Sequence, residues 1–483
     1  MNFLLRNGQV YSVESRSFSK RDISIVDGRL APLPARDSRI IDLDGAYVYP
    51  GLVDSHAHFL GTGLQEIVVN LEECSSLSNL EALLKQDREI VRARGWDQEL
   101  LGFMPVRSLL DGITSRPAII VRRCGHIATV NTEAIRRFDL EELHGLDGTD
   151  VELGIFKERA LDELNSRAAL TKEETDIALR KASERFLKHG VTSVHSDDLH
   201  GVELETLLDI MNKVDDIRVF EKIRVTSPEE LSMIEESRTR ETDFFKVISA
   251  KIYLDGSLGA RTAALISPYS DSVDTSGILY MNSNELKRIV QKADIMGIQL
   301  CVHVIGDRAL DVALDAFEGS LSRELLHRLI HVQIASARQI DTIAEIGMAA
   351  SIQPIFSNSD RLIAPLRLGP TRIKDAYPFR EMKKAGIKIA VSTDSPVEST
   401  ATIPNFVAAD EFFSRGDSIY MYSRAGHVLA KSDCQCSLLP GEVADLFVSK
   451  QNLLEEIMKK DYLSELTFVD GRIVHNVFTN REI

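Results

Sequence analysis

Residues 170–198 read LTKEETDIALRKASERFLKHGVTSVHSDD. Thr171 and Glu174 have capping-box spacing, and the apolar residues that follow recur at helical period, which predicts an amphipathic helix to about His189. Gly190 then ends it. The next segment, VTSVHSDD, is β-branched and apolar until it closes on polar residues, the pattern of a buried strand with a polar tip. Working outward, the same kind of strand recurs eight times. The eight are GLVDSHAHF (51–59), VTSVHSDD (191–198), IRVFEKIRVT (217–226), VISAKIYLDG (247–256), IQLCVHVIGD (298–307), RLIHVQI (328–334), MAASIQPI (348–355) and IKIAVSTDSP (387–396). Helical segments such as NELKRIVQKADIMG and REMKKAG separate most of them.

Eight such units predict a (β/α)8 TIM barrel whose working residues sit at the C-terminal ends of the strands. A doubly wound sheet is the competing fold, but no Gly-rich phosphate loop follows the first strand. The two ends of the chain read differently. ISIVDGRLAPL (23–33) and LTFVDGRIVHN (466–476) share Val-Asp-Gly-Arg between strand-like residues, and Asp-Gly supplies the positive φ angles of a tight hairpin. With ADLFVSK (444–450), they predict a small β-sandwich domain from 1–50 and 420–483, and a barrel over 51–419. The interval of about 60–168 is too long for a crossover and is expected to be an insertion. Within it we expect helices at 78–94 and 131–138 and a strand in RPAIIVRRCGH.

The 483 residues are 44% hydrophobic and 27% charged, an ordinary globular balance. A net charge of -16 argues against a nucleic-acid partner, which needs a basic footprint. No apolar stretch reaches the roughly 18 residues of a membrane span, and no signal-like segment opens the chain. Five scattered cysteines form no disulfide framework, so a reducing cytoplasmic location and a small-molecule substrate are expected. Cys434 and Cys436 form a CxC pair that reads either as a metal-binding fragment or as small residues in a loop.

The strand tips carry the chemistry. His56 and His58 are two apart, so on a strand both imidazoles face one side. Later tips bear Lys251, His303, His331 and Asp394. A barrel would gather these six at one mouth, and they are ligand types suited to one or two divalent metals, zinc foremost. Singly, each histidine is also at home as a satisfied core residue. Lys251 has two readings: its ammonium reaches solvent or pairs with Asp255, or burial favours the neutral amine. A neutral amine can add carbon dioxide, and the resulting carbamate could bridge cations about 3.5–4 Å apart. His195, His126, Arg261 and Arg308, with Arg122 and Arg123, are candidate substrate contacts; the alternative for each arginine is a structural ion pair.

The motifs GLVDSHAHF, KIYLDGSLGARTAAL, CVHVIGDRALDVALDAFE, RLIHVQI, ASIQP, VSTDSPVES and the closing LLPGEVADLFV resemble, in order, those of the amidohydrolase superfamily. Among its branches they are most similar to the third amidohydrolase family, which includes N-substituted formamide deformylase-like enzymes. The resemblance covers essentially the whole chain. It implies a metal-dependent hydrolase of C–N bonds with His56, His58, Lys251, His303 and His331 as ligands, Asp394 as ligand and general base, and a homodimer as the family's usual state. Two positions depart from the branch: Ile330 stands where an acidic residue commonly precedes the sixth-strand histidine, and Ser395 where a tryptophan often follows the last aspartate. A heterocycle deaminase on the same fold, and a non-catalytic scaffold, are the competing functions; the scaffold fits poorly because none of the six positions is missing.

Overall fold

The computed structural model describes residues 1–122, 127–157, 159–198, 202–455 and 461–478. All eight expected strands are present: β1 Leu52–Ala57, β2 Val191–Ser196, β3 Arg218–Arg224, β4 Phe245–Tyr253, β5 Gln299–Val304, β6 Arg328–His331, β7 Ala349–Ile352 and β8 Ile389–Val391. They pair in parallel and in chain order from β1 to β8. β1, β2 and β5 to β8 are buried along their whole length, as strands of a barrel jacketed by helices must be. Just beyond β8 the two ends of the sheet meet. Asp394 donates its backbone N–H to the His56 carbonyl at 2.9 Å, and His58 donates to the Ser395 carbonyl at 2.7 Å. The sheet therefore closes on itself, which rules out the doubly wound alternative.

The chain termini build a second sheet, in the order Arg472–Asn476, Leu466–Val469, Leu446–Ser449, Tyr47–Pro50, Phe3–Ser12, Ser17–Val26, Arg29–Ala31. The long strand Phe3–Ser12 bends it. Residues 3–6 pair with 39–42, residues 9–10 pair with 47–48, and the register breaks around Asn7, whose φ is 59°. The bent sheet encloses one core that includes Phe3, Val10, Ile25, Val48, Leu446 and Phe468. Both Val-Asp-Gly-Arg repeats are hairpin turns, with φ of 49° and 80° at Asp27 and Gly28 and of 51° and 67° at Asp470 and Gly471. The two turns lie against each other: a Cβ on Gly471 would stand 2.6 Å from the Cα of Gly28. Glycine is required there by both dihedral and space.

Residues group into two compact units, one around Leu60–Ala182 and the other from Met1–Phe59, Ser183–Leu199 and Leu204–Ile483. The first has its own six-stranded sheet, in the order Thr149–Asp150, Ile155–Lys157, Ile127–Val130, Ala118–Arg122, Val91–Trp96, Val69–Asn70. The helix expected at 78–94 is shorter, Leu77–Leu84, and a strand, Val91–Trp96, begins inside that span. There Val91 and Ala93 are buried while Arg92 and Arg94 are not, a period of two that overrides the helical reading. The expected helix at 131–138 is Thr132–Arg137, capped by the Asn131 side chain. Thr171 and Glu174 make the reciprocal capping bonds at 2.9 and 3.1 Å. Among the described residues no helix is long and apolar enough to cross a membrane.

His189, behind the turn into β2, is buried, and its Nδ1 has no hydrogen-bond partner among the described residues. Burial, then the neighbouring charges of Lys188, His475 and Arg185, push it down from 6.5 to about 3. The unfolded chain binds this proton below pH 6.5 and the folded chain does not until about pH 3, so the fold loses stability as pH falls through that window. Urea unfolding of His189→Gln between pH 7.5 and 4 should show a shallower acid loss than the parent, by up to one proton; parallel profiles would show that His189 does not titrate this way.

Candidate metal centre

The C-terminal tips of β1, β4, β5 and β6 and the turn after β8 place His56, His58, Lys251, His303, His331 and Asp394 together. One ligand atom each from His56, His331 and Asp394 lies within 4.8 Å of the others. The Nε2 atoms of His56 and His58 stand 3.2 and 3.4 Å from the same carboxylate oxygen, Asp394 Oδ1. That oxygen nevertheless has no aligned hydrogen bond. Nitrogen and oxygen lone pairs converging on one point at this separation match the edge of a zinc tetrahedron, about 3.4 Å for bonds of about 2.1 Å. The Lys251 Nζ is 3.5 Å from His56 Nε2. The rings of His303 and His331 are 4.6 Å apart, and those of His56 and His331 5.4 Å.

Three of the imidazoles are oriented from behind. His58 Nδ1 lies 2.5 Å from the Asp197 carbonyl, His303 Nδ1 3.0 Å from Asp255 Oδ1, and His331 Nδ1 2.7 Å from Gln353 Oε1. Each acceptor fixes the tautomer with the proton on Nδ1, which leaves the Nε2 lone pair for a cation. Asp255 is itself held by the backbone N–H groups of Ala264, Ile305 and Gly306. Two ligands sit on left-handed backbone, His331 at φ 78° and Asp394 at φ 60°. Such strain in non-glycine residues persists only where surrounding structure enforces it, and here it turns strand-end side chains into the mouth.

The electrostatics keep the carboxylate ionised. Burial alone would raise Asp394, but its contacts with His56, and then those with His58 and His331, outweigh it and hold the carboxyl well below its ordinary range. Burial, followed by the charge of Lys251, pushes His56 well down. Burial would lower His58 too, but Asp394 overcomes it and lifts the imidazole to about 9, so a cation arriving here displaces a proton. Four imidazoles and a carboxylate form a borderline nitrogen and oxygen donor set that fits a divalent metal of the zinc type.

Lys251 is fully buried, and its partner is Asp197, with Nζ 3.0 Å from Oδ2, rather than Asp255. Tyr253 donates its hydroxyl to that same oxygen at 2.5 Å, and its ring lies 4.6 Å from the lysine nitrogen. Asp197 and Tyr253 were not singled out from the sequence; their only signals were the doubled Asp at the tip of β2 and the tyrosine two positions after Lys251. His195 is not at the mouth. It lies within the barrel, where its Nδ1 accepts from Arg328 Nη1 at 2.8 Å. Arg261 is in an ion pair with Asp271 at 3.0 Å, and Arg308 is exposed on the helix Asp307–Ala316. Arg122 bonds Gln98 at 2.7 Å within the unit built around Leu60–Ala182. Arg123 and His126 lie outside the described residues. Ile330 is buried in β6, where an acidic residue would stand in the branch resembled, and Ser395 uses its carbonyl to hold the His58 backbone.

Comparison with known proteins identifies the family and the fold. The profile of the amidohydrolase family matches residues 39–475. The solved structure of a metal-dependent hydrolase from Pyrococcus furiosus is 30% identical, with a TM-score of 0.81 over 94% of this chain and 100% of that one. The amidohydrolase-type protein YtcJ of Bacillus subtilis is 27% identical over 380 residues, 74% of this chain and 72% of its own. N-substituted formamide deformylase of Arthrobacter pascens is 21% identical over 97% of both chains.

Removing the acceptor behind His331 tests the orientation argument. Gln353→Leu should weaken metal binding by about 10–100-fold while leaving the fold intact. Chelator competition followed by metal analysis measures this, and unchanged affinity would show that Gln353 does not set the tautomer.

Proposed function

This chain belongs to the amidohydrolase family, and we propose that it hydrolyses the C–N bond of a small amide, with N-formyl amines first among the candidates. It is a hydrolase with a divalent-metal centre; zinc as the ion and the C–N bond as the target are our reading. The observation that carries it is the convergence of His56 and His58 on one ionised oxygen of Asp394 beside His331. A bound divalent ion supplies water acidified to a pKa of about 7 and a polarised carbonyl. The remaining tasks fall to the chain. Asp394 is the group in reach with the right protonation state: as a carboxylate it accepts the proton of the attacking water and returns it to the departing nitrogen. His56 and His58 hold that carboxylate from two sides, and the bond from Asp394 N–H to the His56 carbonyl fixes its backbone. The name of the Arthrobacter relative supports an N-substituted formamide as the first substrate to try.

For Lys251 we propose a carbamate when two ions are bound. The ammonium paired with Asp197 first loses a proton; the neutral amine nitrogen then bonds the carbon of carbon dioxide and loses a second, and bound cations would offset the new anion. At the mouth, the exposed guanidinium of Arg224, at the tip of β3, lies 5.5 Å over the Tyr253 ring, a position suited to a substrate carboxylate or carbonyl.

Asp394→Asn should lower kcat on the best substrate of an N-formyl and N-acyl screen by about 100- to 10,000-fold. Near-parental activity would remove Asp394 as the proton carrier, and ammonia released from purines in place of amide cleavage would make the chain a deaminase. Carbamylation is read from protein loaded with metal in labelled bicarbonate: a protein-bound carbamate signal absent in Lys251→Ala is expected. An unmodified lysine beside a single ion would refute it.

A further inference from the structure

The CxC pair left open by the sequence lies at the opposite end of the barrel. Cys434 and Cys436 are free thiols, with Sγ atoms 3.7 Å apart. The third member of the cluster is His427, on the helix Arg424–Leu429, and a ring nitrogen of it lies within 4.8 Å of both sulfurs. This helix packs at the N-terminal ends of the strands. The Gln299 amide, at the first residue of β5, donates to the Leu429 carbonyl at 3.0 Å, and a Cβ on Gly426 would meet Val53 in β1 at 2.4 Å.

We infer that Cys434, Cys436 and His427 form a second metal site, a Cys2His tripod for a zinc-type ion that ties the barrel helix to the terminal sheet. The sulfur separation is the first support. Two thiolates on one zinc at about 2.3 Å in tetrahedral geometry stand about 3.8 Å apart, whereas a disulfide needs about 2.05 Å. The second is an unsatisfied group. His427 is 1% exposed and its Nδ1 has no hydrogen-bond partner among the described residues, while its ring interacts with Cys434, the thiol that a shared ion would join to it. The third is the backbone. Between the helix and Leu438, which enters the core of the terminal sheet, the chain belongs to no helix or strand and takes positive φ at Lys431, Cys436 and Leu438, at 53°, 53° and 54°. An irregular segment of this kind gains order from a cation that binds two points along it and fastens them to the helix through His427.

Two of the carboxylates nearby are already engaged, and Asp433, beside Cys434, is exposed. Glu442 takes the Ser437 backbone N–H at 3.0 Å and also its hydroxyl, and Asp445 takes Arg218 at 2.6 Å. Water therefore completes the tetrahedron. Two thiol protons leave as the ion binds. Because the donors include sulfur, this site prefers softer ions than the nitrogen and oxygen cluster at the other end. Its place at the N-terminal face of the barrel assigns it to stability rather than catalysis.

Full-length protein produced in cobalt medium should show a near-ultraviolet sulfur-to-cobalt charge-transfer band, which the imidazole and carboxylate site cannot produce. The band should persist in Asp394→Asn and vanish in Cys436→Ser, together with one metal ion per chain. If Cys436→Ser fails to fold, the parent protein gives a second readout: a mercurial titrating its thiols should release one zinc per chain to a chromophoric chelator. Absence of the band with no zinc released overturns the site, and so does a Cys434–Cys436 disulfide in protein purified without reductant.

Discussion

The structure turns on how the first barrel strand is joined to the last. Asp54, in the middle of β1, is wholly buried, and its carboxylate takes the Thr393 backbone N–H at 3.1 Å and the Thr393 hydroxyl at 2.5 Å. Burial pushes this carboxyl up to about 7 even though the Thr393 bonds and the His56 N–H pull it down. A charge-prone group in so dry a place is a local cost, tolerated where it fixes geometry. Here it fixes the junction that sets His56 and His58 beside Asp394, more than 300 residues later in the chain. Without that closure the HxH pair would face no carboxylate, and the mouth would hold two half-sites.

Around the junction, three of the imidazoles depend on partners outside the cluster. The Asp197 carbonyl, Asp255 and Gln353 come from three different strand tips, and each sets one imidazole. Asp197 has a double part. Its carbonyl orients His58 while its carboxylate binds Lys251 and Tyr253. Burial alone would raise that carboxyl, yet Lys251, followed by His58, holds it far below the usual range. The buried ammonium is thus compensated, which answers how a lysine survives in a strand that is apolar around it. Any chemistry at Lys251 is coupled through Asp197 to the orientation of His58.

The barrel and the gathering of these six residues at its mouth were legible because two local signals coincide: β-branched runs mark the strands, and polar tips mark their mouth ends. His56, His58, Lys251, His303, His331 and Asp394 all fall on such tips. What local pattern does not carry is depth. His195 and Asp197 stand two apart on one strand and so share a side, yet one meets Arg328 inside the barrel and the other orients His58. Register with distant strands decides that difference, and residue type pointed to the wrong one of the two. The arginines missed for a similar reason. Arg261 and Arg308 follow ligand-bearing strands closely, but the turn at Arg261, φ 60°, directs it to Asp271 instead. The helix expected at 78–94 erred through period, since an alternating run of small and basic residues also satisfies a loose helical pattern.

Strand direction separates two kinds of metal chemistry in one barrel. At the C-terminal tips the donors are imidazole and carboxylate on backbone held by the sheet, with lone pairs left open toward the mouth. At the N-terminal end the donors are two thiols on irregular chain and a histidine on the helix before it, with one nitrogen buried and unsatisfied among the described residues. Donor type alone does not divide the two ends, since three protein ligands and a water, thiolates included, also describe catalytic zinc sites. Two thiolates add binding strength to the three-donor cluster at the N-terminal end. Their places in the fold, strand tips at one end and strand beginnings at the other, therefore assign reaction to one end of the barrel and cohesion to the other.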